Sequence, residues 1–148
     1  MINIKDFERI KFDGDNQSYG YFKMDKLSNG QTIAIYLFKY ECKSYNEYSV
    51  FVAIANKKKH IKQLINEQRD ILSNKETGRC GLEGLLWAKK QLLDFENSEF
   101  CKNDDVIVIQ WTDNRRRNVY EYGLKKYGYT ISNRYSHKCL SKKIIKTN

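Results

Sequence analysis

Gly78-Arg79-Cys80-Gly81 stands directly before Leu82, Leu85, Leu86 and Leu93, an apolar run with helical spacing. Glycines let backbone N–H groups turn toward a ligand without interference from a Cβ, and a helix start adds unpaired donors and about half a positive charge. A pyrophosphate fits such a nest, and the same glycines can equally make an ordinary turn. Cys80, beside Arg79, sits in a field of the kind that activates a thiol as a nucleophile. No His partner for it is evident. His60, in the run KKKH, and His137 have no carboxylate or second ligand at i+4, so both read as surface residues. The four cysteines, at 42, 80, 101 and 139, lack C-x-x-C spacing and fit reduced structural thiols.

Charge marks a second region. Lys and Arg outnumber Asp and Glu by 27 to 18, and the whole +9 excess lies in Asn114 to Asn148, where Glu121 is the only acid. Arg115, Arg116 and Arg117 follow Trp111 closely, and Tyr120, Tyr122, Tyr127, Tyr129, Arg134 and Tyr135 come after them. Cations interleaved with aromatic faces suit a polyanion: nucleic acid, an acidic protein or a phosphorylated cofactor. No sequence signature of a nucleic-acid module accompanies them. A solvated basic tail is the plainer alternative.

The elements that position these residues follow from patterning. A chain of 148 residues, 41% apolar and 14% aromatic, predicts one domain over 1–148 with a real core. No stretch approaches the ~20 apolar residues of a membrane span, and the opening MINIKDFERIKFDGD has no signal-peptide core, which predicts a soluble, cytoplasmic protein. Residues 1–56 read as a meander of three strands, SYGYFKMD, TIAIYLFKYE and EYSVFVAIA, or of four if ERIKF is added, with Asn29-Gly30 as a hairpin turn. SVFVAIA is apolar after its first residue, which predicts a central strand buried on both faces.

Residues 57–143 form a helix-rich half. Ile61, Leu64, Ile65 and Leu72 predict a helix over Lys58 to Leu72, and the leucine stripe predicts a second one to about Phe95. DDVIVIQW reads as a buried strand. RRRNVYEYGLKK reads as a helix with Val119, Tyr120, Leu124 and Tyr127 on its apolar face and Gly128 as its stop, followed by one or two strands in YTISNRYSHKCLSKKII. The order β-β-β-α-α-β-α-β(β) predicts a mixed α+β domain whose sheet is covered by helices.

A central strand, a Gly-rich turn, a helix, a buried strand and a helix ending in K-x-G-Y resembles the C-terminal half of the GNAT superfamily of acyl-CoA-dependent N-acyltransferases. The likeness covers Ser49 to Lys143. TGRCGLEGLLWAKKQLLDF is similar to the family's pyrophosphate loop and helix, and VIVIQWTDNRRRNVYEYGLKKYGY to its later strand, helix and G-F/Y ending. The resemblance implies a mostly antiparallel sheet with helices on both faces, and transfer of an acetyl group from acetyl-CoA to an amine. It implies that backbone amides of Gly78, Arg79, Cys80, Gly81 and Leu82 hold the cofactor pyrophosphate, while splayed central strands take the pantetheine. Glu83 stands where the family loop ends in a small residue.

The family's usual tyrosine, four residues before the glycine of G-F, corresponds to Leu124. Tyr120, one turn earlier, shares its face and is the candidate general acid, with a core aromatic as the alternative. Glu41, Glu47 and Glu83 are candidate general bases, and each also reads as a solvated charge. Arg115 to Arg117 could clamp the 3′-phosphate of the cofactor. The competing expectation is a noncatalytic module of the same fold whose basic C-terminal face binds nucleic acid or an acidic protein.

Overall fold

A computed structural model describes residues 7–11, 19–66, 81–110, 114–134 and 137–146. In chain order the elements are β1 (Glu8–Lys11), β2 (Tyr19–Lys26), β3 (Thr32–Glu41), β4 (Asn46–Ala55), α1 (Lys58–Asn66), α2 (Gly81–Glu96), β5 (Val106–Ile109), α3 (Asn114–Leu124), a 3-10 turn (Lys125–Tyr127), β6 (Thr130–Arg134) and β7 (His137–Lys143). The protein is an α+β domain with a seven-stranded sheet of order β1-β2-β3-β4-β5-β7-β6. Neighbouring strands are antiparallel except β4 and β5, which run parallel.

The β2–β3 turn depends on one left-handed residue rather than two. Gly30 takes φ 89, while Asn29 keeps an ordinary φ and accepts the Gln31 N–H on its side-chain oxygen at 2.9 Å. Leu27 donates its N–H to the Gln31 carbonyl at 2.8 Å, which closes the loop. At the far end of the chain Gly128, with φ 95, stops the 3-10 turn as its position predicts.

Period-2 alternation sorts the strands onto two faces. Ile35, Leu37, Tyr48, Val50, Ile107 and Ile109 face α2 and α3, where Leu92, Phe95 and Leu124 complete the core. Ala34, Tyr36, Phe38, Ala53 and Ala55 face the other way, against Ile61 of α1, with Tyr36 and Phe51 stacked at 5.0 Å. Helices therefore lie on both faces. The predicted continuation of α1 to Leu72 falls outside the described residues, as does the loop through Cys80. No helix among the described residues is long and apolar enough to cross a membrane.

α2 corrects one sequence expectation. Its buried positions are Gly84, Ala88, Gln91, Leu92, Phe95 and Glu96, whereas Leu82 is 72% exposed, Leu86 is 52% exposed, and Leu85 and Leu93 are only half-buried. Small residues face the sheet because the helix lies close to it. A Cβ built at Gly84 comes within 2.9 Å of Ile54 Cδ1 and 3.2 Å of Ile33 Cδ1, both tips belonging to fully packed side chains. Gly123 in α3 is the opposite case, since a Cβ there meets nothing within 4 Å.

These two glycines give a paired prediction. Gly84→Leu over-packs the α2–sheet contact and is expected to cost about 1–3 kcal/mol. Gly123→Ala gains helix propensity without a clash and is expected to add about 1 kcal/mol, read by denaturant unfolding. Equal signs for the two substitutions would contradict the packing described.

Candidate functional site

Asp105 aligns the parallel pair at its beginning. Its buried carboxylate accepts the Asn46 N–H at 2.9 Å and the Lys102 N–H at 2.8 Å, so the first residue of β4 is tied to the residue preceding β5. The ladder then runs from Glu47↔Val106 to Val50↔Ile109. There it ends, while β4 continues to Ala55. Among the described residues no strand extends the pairing beyond Val50 on that side. Phe51 and Val52, just past the end, are the two half-buried residues in a strand otherwise closed to solvent over Glu47–Ala55.

A groove of about 360 Å³ lies over the end of this ladder, between α2 and α3. Ile35, Val50, Val52 and Ile109 form its floor, Leu82, Leu85, Leu86, Ala88 and Leu92 its α2 wall, and Val119, Tyr120, Gly123 and Leu124 its α3 wall. Its volume is that of a small-molecule site. Leu82 to Leu92 spans about 15 Å of helix, so the groove is elongated. The polar groups along it are Lys89, Gln110, Tyr120, Tyr122 and Lys126, with no carboxylate among the described lining residues. Lys89 Nζ and Lys126 Nζ stand 5.5 and 5.2 Å from the Tyr127 ring.

The candidate residues separate into three groups. Gly81 and Leu82 open α2, and Leu82 reaches the groove wall, whereas Gly78, Arg79 and Cys80 lie outside the described residues. Tyr120 is half-buried and lines the groove. Leu124, one turn on, is 7% exposed and contributes to both groove and core. Arg115, Arg116 and Arg117 fall in the first turn of α3.

None of the three candidate bases lines the groove among the described residues. Glu83 binds the β2–β3 turn, accepting the Ser28 N–H at 2.8 Å and the Ser28 hydroxyl at 2.6 Å. Glu47 is fully buried and paired with Arg134. Glu41 ends β3 exposed, opposite Asn46. His60 lies in the first turn of α1 and His137 begins β7. No group of His, Cys, Asp or Glu among the described residues can hold a metal.

The basic segment is partly neutralised within the fold. Arg134 pairs with Glu47, Lys142 with Glu96, and Lys143 with Asp104 at 3.5 Å. Lys146 Nζ donates to the carbonyls of Ser98 and Cys101. Lys125, Lys126 and Lys138 remain exposed.

Three raised titrations lie in the core. Burial pushes the Cys101 thiol up to about 12, with the Asp105 charge adding to it. Tyr129, whose hydroxyl donates to Glu96 Oε2 at 3.1 Å, is raised by burial and then by that carboxylate. Tyr48, donating to the Phe100 carbonyl at 3.1 Å, is raised by burial. A raised pKa at such groups is a property of packing.

The sequence reading put Leu82, Leu85, Leu86 and Leu93 on one helical stripe, counted Tyr122 among the aromatics of the basic end, and assigned no role to Gly123 or Gln110. The signal for the leucines was present: α2 carries apolar residues over an arc too wide for one buried stripe, with Gly84 and Ala88 on one side and leucines on the next. No family model, curated protein or solved structure matches this chain.

The buried thiol and phenols favour their neutral forms in the fold, so folded pKa values lie above unfolded ones. Their contribution to stability is complete below the ordinary thiol value of 9.0 and is lost as pH rises toward about 12 for Cys101. Stability is therefore expected to fall progressively above about pH 9. In native protein at pH 8, iodoacetamide is expected to modify half-buried Cys42 and spare buried Cys101 and Cys139. Modification of Cys101 at the rate of Cys42 would contradict this placement.

Proposed function

We propose that the chain is an acyl-CoA-dependent N-acyltransferase of GNAT-like fold, moving an acyl group, in the simplest case acetyl from acetyl-CoA, to an amine. The observation that carries the reading is the groove over the end of the β4–β5 ladder, with the first turn of α2 at one end. In this reading the pyrophosphate lies by the N-terminus of α2, at Gly81 and Leu82 and the preceding Gly78, Arg79 and Cys80. The helix dipole and its unpaired N–H groups favour an anion there. The pantetheine enters between the helices and meets the β4 edge beyond Val50, where backbone N–H and C=O groups pair with its amides.

The reaction needs an amine lone pair on the thioester carbon, release of the thiolate and a proton for the leaving sulfur. Tyr120 is the residue assigned to that proton. The phenol protonates the sulfur as the C–S bond breaks and regains a proton from solvent, which takes up the one lost by the amine. No general base is assigned, since Glu47 and Glu83 are held by Arg134 and Ser28.

The alternative, a binding module for nucleic acid or an acidic protein, rests on the sequence excess of cations. Three of those cations, Arg134, Lys142 and Lys146, serve part-buried contacts inside the fold, and Lys143 pairs with Asp104 at the surface.

Thermal unfolding with acetyl-CoA, free CoA and a short single-stranded oligonucleotide separates the readings. At about 100 times its dissociation constant the cofactor is expected to add about 2.7 kcal/mol, and to keep most of it at moderate salt. Leu86→Glu, at a half-exposed groove position, is expected to abolish that shift while leaving the unliganded Tm within a few degrees. Tyr120→Phe is expected to lower kcat by about 100-fold with little change in KM. A salt-sensitive shift with the oligonucleotide and none with either CoA species would replace the enzyme reading with the binding module.

A further inference from the structure

Lys89 stands in the middle of an apolar patch. Its helical neighbours three and four residues away on either side are Leu85, Leu86, Leu92 and Leu93, so no carboxylate stands at helical pairing distance. The adjoining Lys90 differs, pairing with Asp94 at 3.2 Å. Lys126 comes in from the opposite wall, just beyond the end of α3, and the two ammonium groups lie 5.5 and 5.2 Å from the centre of the Tyr127 ring. Both lysines line the groove, no Asp or Glu is present among its described lining residues, and neither lysine forms an ion pair among the described residues. Two like charges brought to one ring repel each other, and the face of a tyrosine offsets only part of that repulsion.

Their place along the groove is fixed by the next contact. Tyr129, two residues past Tyr127, donates to Glu96 in the last turn of α2, which puts the 3-10 turn at the end of the groove remote from Gly81 and Leu82. Phosphates at the first turn of α2 are therefore not what these lysines hold.

We propose that Lys89 and Lys126 bind a carboxylate at the end of the acyl group, so that the donor is a short dicarboxylic acyl thioester of the malonyl or succinyl kind. The proposal rests on the acyltransferase reading above, in which the pantetheine occupies the groove from the first turn of α2 and its sulfur reaches Tyr120. The acyl group is the next part of the ligand along that path. Lys126 lies six residues beyond Tyr120, about 9 Å along the helix, a distance that an acyl chain of about three or four carbons and a lysine stem span between them. An acetyl group stops short of both ammonium groups. The carboxylate is a spectator of the transfer: the amine forms its C–N bond as the C–S bond breaks, and the carboxylate stays on the transferred group.

The test is calorimetric titration of the full chain with CoA, butyryl-CoA and succinyl-CoA, the two acyl chains being equal in length and different in charge. It is run on the parent, on Lys89→Gln/Lys126→Gln and on Lys58→Gln/Lys62→Gln. The last pair is exposed on α1, across the sheet from the groove, and removes the same charge. The parent is expected to bind succinyl-CoA about fivefold more tightly than butyryl-CoA. That preference is expected to fall to about twofold or less in Lys89→Gln/Lys126→Gln and to persist in the α1 variant. Equal affinities in the parent, or a preference that Lys89→Gln/Lys126→Gln lowers no more than the α1 variant does, overturns the proposal and leaves the acyltransferase reading standing. Failure of every CoA species to bind removes that reading and the proposal together.

Discussion

Six pairings hold this sheet together and five are antiparallel; the sixth, β4 with β5, imposes most of what surrounds it. Parallel neighbours cannot be joined by a hairpin, so a long connection must separate them, and it carries α1 on one face of the sheet and α2 on the other. β5 has four residues and β4 has ten. With their starts fixed by Asp105, the excess length of β4 accumulates at the other end, beyond the last paired residues Val50 and Ile109. The groove lies there, floored by Ile35, Val50, Val52 and Ile109.

Charge follows the same logic of distance in sequence and closeness in space. Residues beyond Asn114 hold nearly all the cationic excess, yet β6 and β7 return to the body of the sheet beside carboxylates contributed earlier. Glu47 on β4 and Glu96 at the end of α2 are buried, and a buried carboxylate left alone is strongly unfavourable. Arg134 and Lys142 remove that penalty while tying the β6–β7 hairpin to β4 and α2. The apparent polyanion surface is thus in part a set of internal counter-ions whose partners lie far away in the chain.

The strands were legible because period-2 alternation and the turn residues agree: TIAIYLFKYE is β3 to the residue, and Gly128 stops its turn as expected. The parallel pairing also follows from the helical segments between two buried strands. The role of the α2 leucines was not legible. Periodicity identifies an apolar arc without saying what fills the space beside it, and Gly84 and Ala88 look like poor core residues until the closeness of Ile33 and Ile54 is known. Tyr120 was found by its spacing from Leu124, which places both on the groove wall. Glu83 looked like an obstacle to a bound diphosphate, and its attachment to Ser28 depends on a contact 55 residues away that no local pattern encodes.

That contact is one of several binding α2 to the sheet. Trp87 donates its indole N–H to Asp25 at 3.2 Å, Lys23 donates to Gln91, and Glu96 meets Lys142 and Tyr129 at the last turn. Polar ties thus occur from the first turn of α2 to its last, on a helix already seated at Gly84. Mechanically, α2 is the fixed jaw of a clamp: displacing it breaks bonds along its whole length. Selectivity for the thickness of whatever enters then belongs to the opposite jaw, α3.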